Sequence, residues 1–194
     1  MQPEIKPEAF YDSLSIAHKL DDFLGVFQLK EIHLFSYFSS ILFLYDGKTP
    51  ADWNYQYIVF DGYPYADDLT FALQRHIQNG WLEKSGNDYF KITARGVDEL
   101  NKFKNLTIFQ QRESYLDAAC TTSILLPYQE TIKALTSDPS VSNANAIGNQ
   151  RLKQDLSSIK FEELSKAIGV PSGDLMIPSV GWIQYLLTQN RVIQ

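Results

Sequence analysis

The sequence predicts a mainly α-helical protein of the α+β class, and three observations carry that prediction. Apolar residues recur at helical spacing over most of the chain. The β-prone runs are short and confined to residues 55–93. One pair of them flanks Gly86-Asn87-Asp88, a sequence that turns a hairpin. With 194 residues, 44% of them hydrophobic and 21% charged, the chain is long enough to bury a core without disulfides or metals. Cys120 is its single cysteine, so no intramolecular disulfide is expected.

The elements follow in order. Residues 1–28 are expected to form an N-terminal helix from Glu8 to Gly25, with Leu14, Ala17, Leu20 and Leu24 on one face. Leu29 to Tyr45 is apolar around its whole circumference and predicts a helix at the centre of a core. Asp46-Gly47 and Pro50 stop it. Tyr55 to Phe60 predicts a strand, ended by a turn at Asp61-Gly62 and Pro64. Asp67 is positioned to cap a helix from Asp68 to Asn79. Trp81–Ser85 and Tyr89–Thr93 predict a hairpin, and Thr93 caps a helix from Ala94 to Lys104. Residues 106–136 read as a helical connector broken at Pro127, and 137–149 as a mobile linker of small polar residues. Two further helices are expected in a C-terminal region at 150–194, over 151–169 and 180–190.

The stretch from Tyr55 to Phe103, with YIVFDGYPYADDLTFALQRHIQNGWLEKSGNDYFKITARGVDEL inside it, resembles the winged-helix superfamily. The resemblance lies in a helix that leads through Asn79-Gly80-Trp81-Leu82 into a hairpin, followed by a Thr93-Ala94-Arg95-Gly96 helix entry. It implies a winged helix-turn-helix domain over 29–105 with an added helical C-terminal region. The turn Gly62-Tyr63-Pro64-Tyr65 is similar to the Gly-Pro-Tyr-Ser-like turn of a subgroup found in antitoxin-like, adaptor and phage-defence accessory proteins. It departs from that turn with Tyr63 inserted and Ala66 where a serine would cap. Winged helices either read DNA or dock proteins, including subunits that clasp chromosome-maintenance-type ATPase complexes.

Reading DNA would fall to Thr70, Gln74, Arg75 and Gln78 on the helix and to Lys84 and Lys91 on the wing. The charge argues against it. The chain carries a net −6, and the segment from Asp67 to Lys104 has as many acids as bases. Asp67 and Asp68 also stand at the helix end that normally enters the groove. The catalytic inventory is sparse. His18, His33 and His76 are isolated in sequence, Cys120 sits in a helical run, and the pairs Asp21-Asp22 and Glu162-Glu163 point apart on their helices. No metal, cofactor or enzymatic activity is expected. Neither is a membrane span, and the first residues lack the order of a secretory signal, so the expected compartment is the cytoplasm.

Two aromatic groups remain. Alternation at Trp53, Tyr55 and Tyr57 predicts rings on one strand face near Tyr63 and Tyr65, either a core flap or a contact patch. In the tail, Val180, Ile183 and Leu187 share a face while Trp182, Tyr185 and Leu186 leave little of the circumference polar, so the helix completes the core or docks to another chain. The resulting expectation is a non-catalytic winged-helix subunit or adaptor of a bacterial multiprotein complex, such as a defence or chromosome-maintenance-type ATPase assembly. Its protein partner, or a second copy, would contact Trp182, Tyr185, Leu186, Trp53 and Tyr63. The alternative is a DNA-binding transcriptional regulator.

Overall fold

The computed structural model describes residues 4–148, 151–169 and 173–192. Helix α1 (Pro7–Leu24) opens on a proline, where the missing N–H is no loss. It ends at Gly25, whose φ of 72° lets its N–H reach the Asp21 carbonyl. Phe27 follows in extended backbone. Helix α2 (Leu29–Tyr45) is then held at its start by the Glu31 carboxylate, which accepts the Gln28 N–H at 2.7 Å. Every residue of α2 from Glu31 to Phe43 is buried, as its unbroken apolar circumference predicts.

A short 3-10 turn at Pro50–Trp53 leads to a hairpin of β1 (Ile58–Phe60) and β2 (Tyr63–Tyr65). Asp61 (φ 50°) and Gly62 (φ 80°) supply the two positive φ angles of a two-residue hairpin turn. Pro64 faces Val59, one pair out from the turn. That is a non-hydrogen-bonded pair, so the ladder loses nothing to a residue without an N–H. The strand expected over 55–60 is therefore short. Trp53, Tyr55 and Tyr57 precede it rather than alternating within it.

Helix α3 (Asp67–Gln78) is capped at Ala66, not at Asp67 as expected, and no side chain serves the cap. Asp67 and Asp68 fall instead in its first turn, where the helix dipole favours them. The expected hairpin is β3 (Leu82–Lys84) with β4 (Phe90–Ile92). Phe27 bridges to Phe90 through two backbone hydrogen bonds of 2.9 and 2.8 Å, adding a third extended segment from between α1 and α2. Helix α4 (Ala94–Lys104) starts at Thr93, whose Oγ1 accepts the Gly96 N–H at 3.1 Å and donates to the Gly80 carbonyl at 2.8 Å.

Helices α5 (Thr107–Leu125) and α6 (Tyr128–Thr136) are separated by Pro127, as expected. The mobile linker expected over 137–149 is corrected. Residues Pro139–Ile147 form helix α7, begun by an Asp138 cap and a proline at the first helical position. Val141 and Ala144 bury against the rest of the protein, and Asp138 itself is 1% exposed. Asn149 lies outside the described residues. Helix α8 (Asp155–Ile168) stops at Gly169. Helix α9 (Met176–Val192) starts earlier than Val180 and takes Pro178 into its first turn. One continuous cluster of buried side chains runs from Ala9 to Leu186, with α1, α5, α6 and α8 packed around α2.

The Thr-x-x-Gly helix entry has a packing cause. A Cβ at position 96 would stand 2.4 Å from the Trp81 carbonyl oxygen and 2.8 Å from Ile92 Cγ1. Gly96→Ala is expected to lower stability by about 2 kcal/mol, the overpacking outweighing the gain in helix propensity. Urea unfolding measures it, and an unchanged midpoint contradicts this packing.

Candidate functional site

The residues expected to read DNA do not form one cationic face. Gln74, Gln78 and Lys84 are exposed. Lys91 is paired with Glu83 directly across the hairpin at 3.1 Å. Thr70 is half-buried, its Oγ1 3.4 Å from His33 Nε2. Arg75 is half-buried and lines an apolar groove. At the N-terminal end of α3 stand Asp67 and Asp68. Burial holds the Asp68 carboxyl above its usual range and Asp67 adds to the shift, while Lys6 opposes it.

Trp53, Tyr55 and Tyr57 are core residues, and the contact role expected for Trp53 is corrected by its 1% exposure. They belong to a buried polar chain whose hydrogen directions can be worked out. The Tyr55 hydroxyl donates to Asp12 Oδ2 at 2.5 Å. Its single hydrogen is then used, so Ser36, 2.6 Å away, donates to Tyr55. By the same count Tyr57 donates to Ser36 at 2.7 Å, and the Trp53 indole N–H donates to Tyr57 at 3.1 Å. Every donor in the chain points toward the Asp12 carboxylate. Arg112 completes it from the other side, with Nε 2.8 Å from Asp12 Oδ1 and Nη2 on Oδ2. The guanidinium carbon also lies 3.7 Å from the centre of the Trp53 ring, a cation–π contact. Burial, with the charge of Asp12, raises the Tyr55 hydroxyl well above its ordinary range. All these groups are satisfied and enclosed, which describes a structural tie rather than a reactive centre. Tyr63 and Tyr65 are half-buried at the β1–β2 hairpin.

The tail is likewise corrected. Trp182 is 0% and Leu186 1% exposed, so neither is offered to a partner. Trp182 packs on Phe161 of α8 at 5.3 Å and stacks on Tyr185 at 5.4 Å, with Tyr185 half-buried. Helix α9 packs against α5, α6 and α8.

An open apolar surface lies elsewhere. A groove of about 480 Å³ runs between the starts of α1 and α5 and the ends of α3 and α4. Its walls are Ile5, Pro7, Phe10, Phe103, Leu106 and Phe109, with Arg75 and Asn79 as its polar lining. Leu106 is 49% exposed at its edge, and Ile108 in the next turn is 55% exposed. No sequence pattern flagged it, because its walls come from four separate elements.

Two of the three isolated histidines, His33 and His76, sit at α3. Ala66 N–H donates to His33 Nδ1 at 3.2 Å, and the ring stacks on Tyr65 at 4.7 Å. His76 Nε2 lies 3.0 Å from the Phe10 carbonyl and 2.9 Å from Ser13 Oγ. Burial lowers the pKa of each to about 4. Cys120 is fully buried, and burial raises its thiol far above the usual range. Among the described residues, no group of three or more His, Cys, Asp or Glu is placed to hold a metal, and no helix is long and apolar enough to cross a membrane.

Compared with protein-family models, curated proteins and solved structures, the chain matches none.

The Asp12–Arg112 tie joins α1 to α5 across a hundred residues of sequence. Arg112→Met leaves a buried carboxylate without its counter-charge and is expected to cost about 3–5 kcal/mol. Chemical denaturation followed by far-UV circular dichroism reads this loss. A change under about 1 kcal/mol places the pair outside the load of the fold.

Proposed function

We propose that this chain is a non-catalytic interaction subunit, built on a winged-helix arrangement of α1, α2, α3 and the β3–β4 hairpin, that docks a protein partner in a multiprotein assembly. The winged-helix reading is supported by the element order and by the bridge that Phe27 makes to the second hairpin strand. The single observation that carries the docking reading is the aromatic-walled groove, with Leu106 exposed at its edge. Aromatic and aliphatic anchors in a concave, mostly apolar site are the features of a protein interface centre. Of the cations that would favour DNA, Lys91 holds Glu83, and carboxylates occupy the leading end of α3. A bacterial defence or chromosome-maintenance-type ATPase complex is the setting proposed, on the resemblance of the Gly62–Tyr65 turn.

Two measurements separate this reading from a transcriptional regulator. Duplex DNA binding is followed across a salt series, and affinity purification is run with the wild type and with Leu106→Glu and Ile108→Glu. Both substitutions are on exposed positions and are expected to change stability by no more than about 0.5 kcal/mol. The reading predicts a stoichiometric protein partner whose affinity falls about 30-fold or more in the Leu106 variant, and no DNA binding at physiological salt. Tight duplex binding that collapses with added salt establishes the regulator instead.

A further inference from the structure

We propose that His33 and His76 are two proton-sensitive clips that hold α3 to the body of the protein, and that acid releases α3 while the central helices stay folded. The geometry places one imidazole at each end of this helix. His33, on α2, holds the N-terminal end: it accepts the N–H of Ala66, the cap residue, through Nδ1, and its Nε2 faces the Thr70 hydroxyl in the first turn. His76 belongs to the last turn and fixes it to α1, where its Nε2 meets the Phe10 carbonyl and the Ser13 hydroxyl. Its ring packs against Phe10 at 4.3 Å and Trp81 at 5.4 Å.

Both rings are neutral, and their hydrogens can be assigned. Ala66 N–H only donates, so His33 Nδ1 is bare and its hydrogen is on Nε2. The Phe10 carbonyl only accepts, so the His76 hydrogen is on Nε2 and its Nδ1 is bare. That Nδ1 has no hydrogen-bond partner among the described residues. A second proton must therefore enter His33 against a backbone N–H and His76 against an apolar wall. Neither has a compensating charge. The titratable group facing His33 is Tyr65, stacked on it from β2, and burial is the sole cause of the shift, with no carboxylate or ammonium of α2, β2 or α3 contributing. Burial also dominates at His76, opposed only by the Phe10 carbonyl, with no charged group of α1, α3 or the hairpin entering.

The direction follows. A held imidazole takes its proton near pH 4 and a released one near 6.5, so protons favour release. The hold is intact above about pH 6.5, weakens as the pH falls from there to 4, and changes no further below it. Helix α3 is suited to open first. It buries only Leu69, Ala72, Leu73 and His76, whereas α2 is buried throughout its length from Glu31 to Phe43.

Amide hydrogen exchange on the full chain, expressed as protection factors between pH 8 and pH 5, tests this. The expected result is a loss of protection in α3 of about 30-fold for each imidazole released, with α2 and α5 unchanged. In His33→Asn the side-chain amide oxygen replaces Nδ1, and in His76→Gln the amide nitrogen replaces Nε2–H. Each variant is expected to remove its share of the pH dependence, and the double variant to be flat. The proposal is overturned if wild-type α3 keeps its protection to pH 5, if all helices lose protection together, or if the double variant shows the wild-type loss. Direct NMR titration of the two rings guards against variants that fail to fold: ionisation of both near 6.5 in the folded protein also overturns it.

Discussion

Helix α2 is surrounded by protein, yet it carries His33, Ser36, Tyr37, Ser39 and Ser40 within its buried length. A polar group inside a core must find a hydrogen-bond partner or destabilise the fold by several kcal/mol in the worst case. Ser39 turns back to the Phe35 carbonyl of its own helix. The other four reach out, each to a different segment. His33 takes the Ala66 amide, Ser36 takes Tyr55 and Tyr57, Tyr37 donates to Asp138 at 2.9 Å, and Ser40 accepts from the Gln154 side chain at 2.5 Å. Apolar burial gives this helix its place, and its polar residues decide which part of the chain covers each side.

The α7 region shows how far that control extends. Asp138 is fully buried, and burial raises its carboxyl pKa while Ser157, Tyr37 and the Ser140 amide act to lower it. The same carboxylate caps α7 and accepts from Ser157 at the start of α8. A segment of serines, asparagines and alanines is thus ordered by one buried acid that α2 requires. Composition alone made 137–149 look like a linker. The Asp138-Pro139 pair was the local signal of a helix start, and it was outweighed by the small polar residues that follow.

Most of the helical order and the β3–β4 hairpin were legible because they rest on local chemistry: the cap at Thr93, the stop at Gly25, the break at Pro127. The exchanges between core and surface were not legible. Trp53, Trp182 and Leu186 carry the marks of interface anchors, and whether such residues face outward depends on what packs beside them. Here that is Arg112 for Trp53 and Phe161 for Trp182, each far away in sequence. The groove was invisible for the same reason, since Phe10, Phe103 and Phe109 meet only once the chain is folded.

Residues 1–105, although they contain the whole resemblance to a winged helix, are not expected to be a self-sufficient unit. Their central helix would lose α5, α6 and α8 from its surroundings, and Asp12 would lose Arg112. The most direct measurement is urea unfolding of a 1–105 fragment beside the full chain, followed by circular dichroism. The prediction is one cooperative transition for the full chain and none for the fragment. A fragment that unfolds cooperatively, with α2 amides as protected as in the full protein, contradicts the central place given to α2 and its four polar ties.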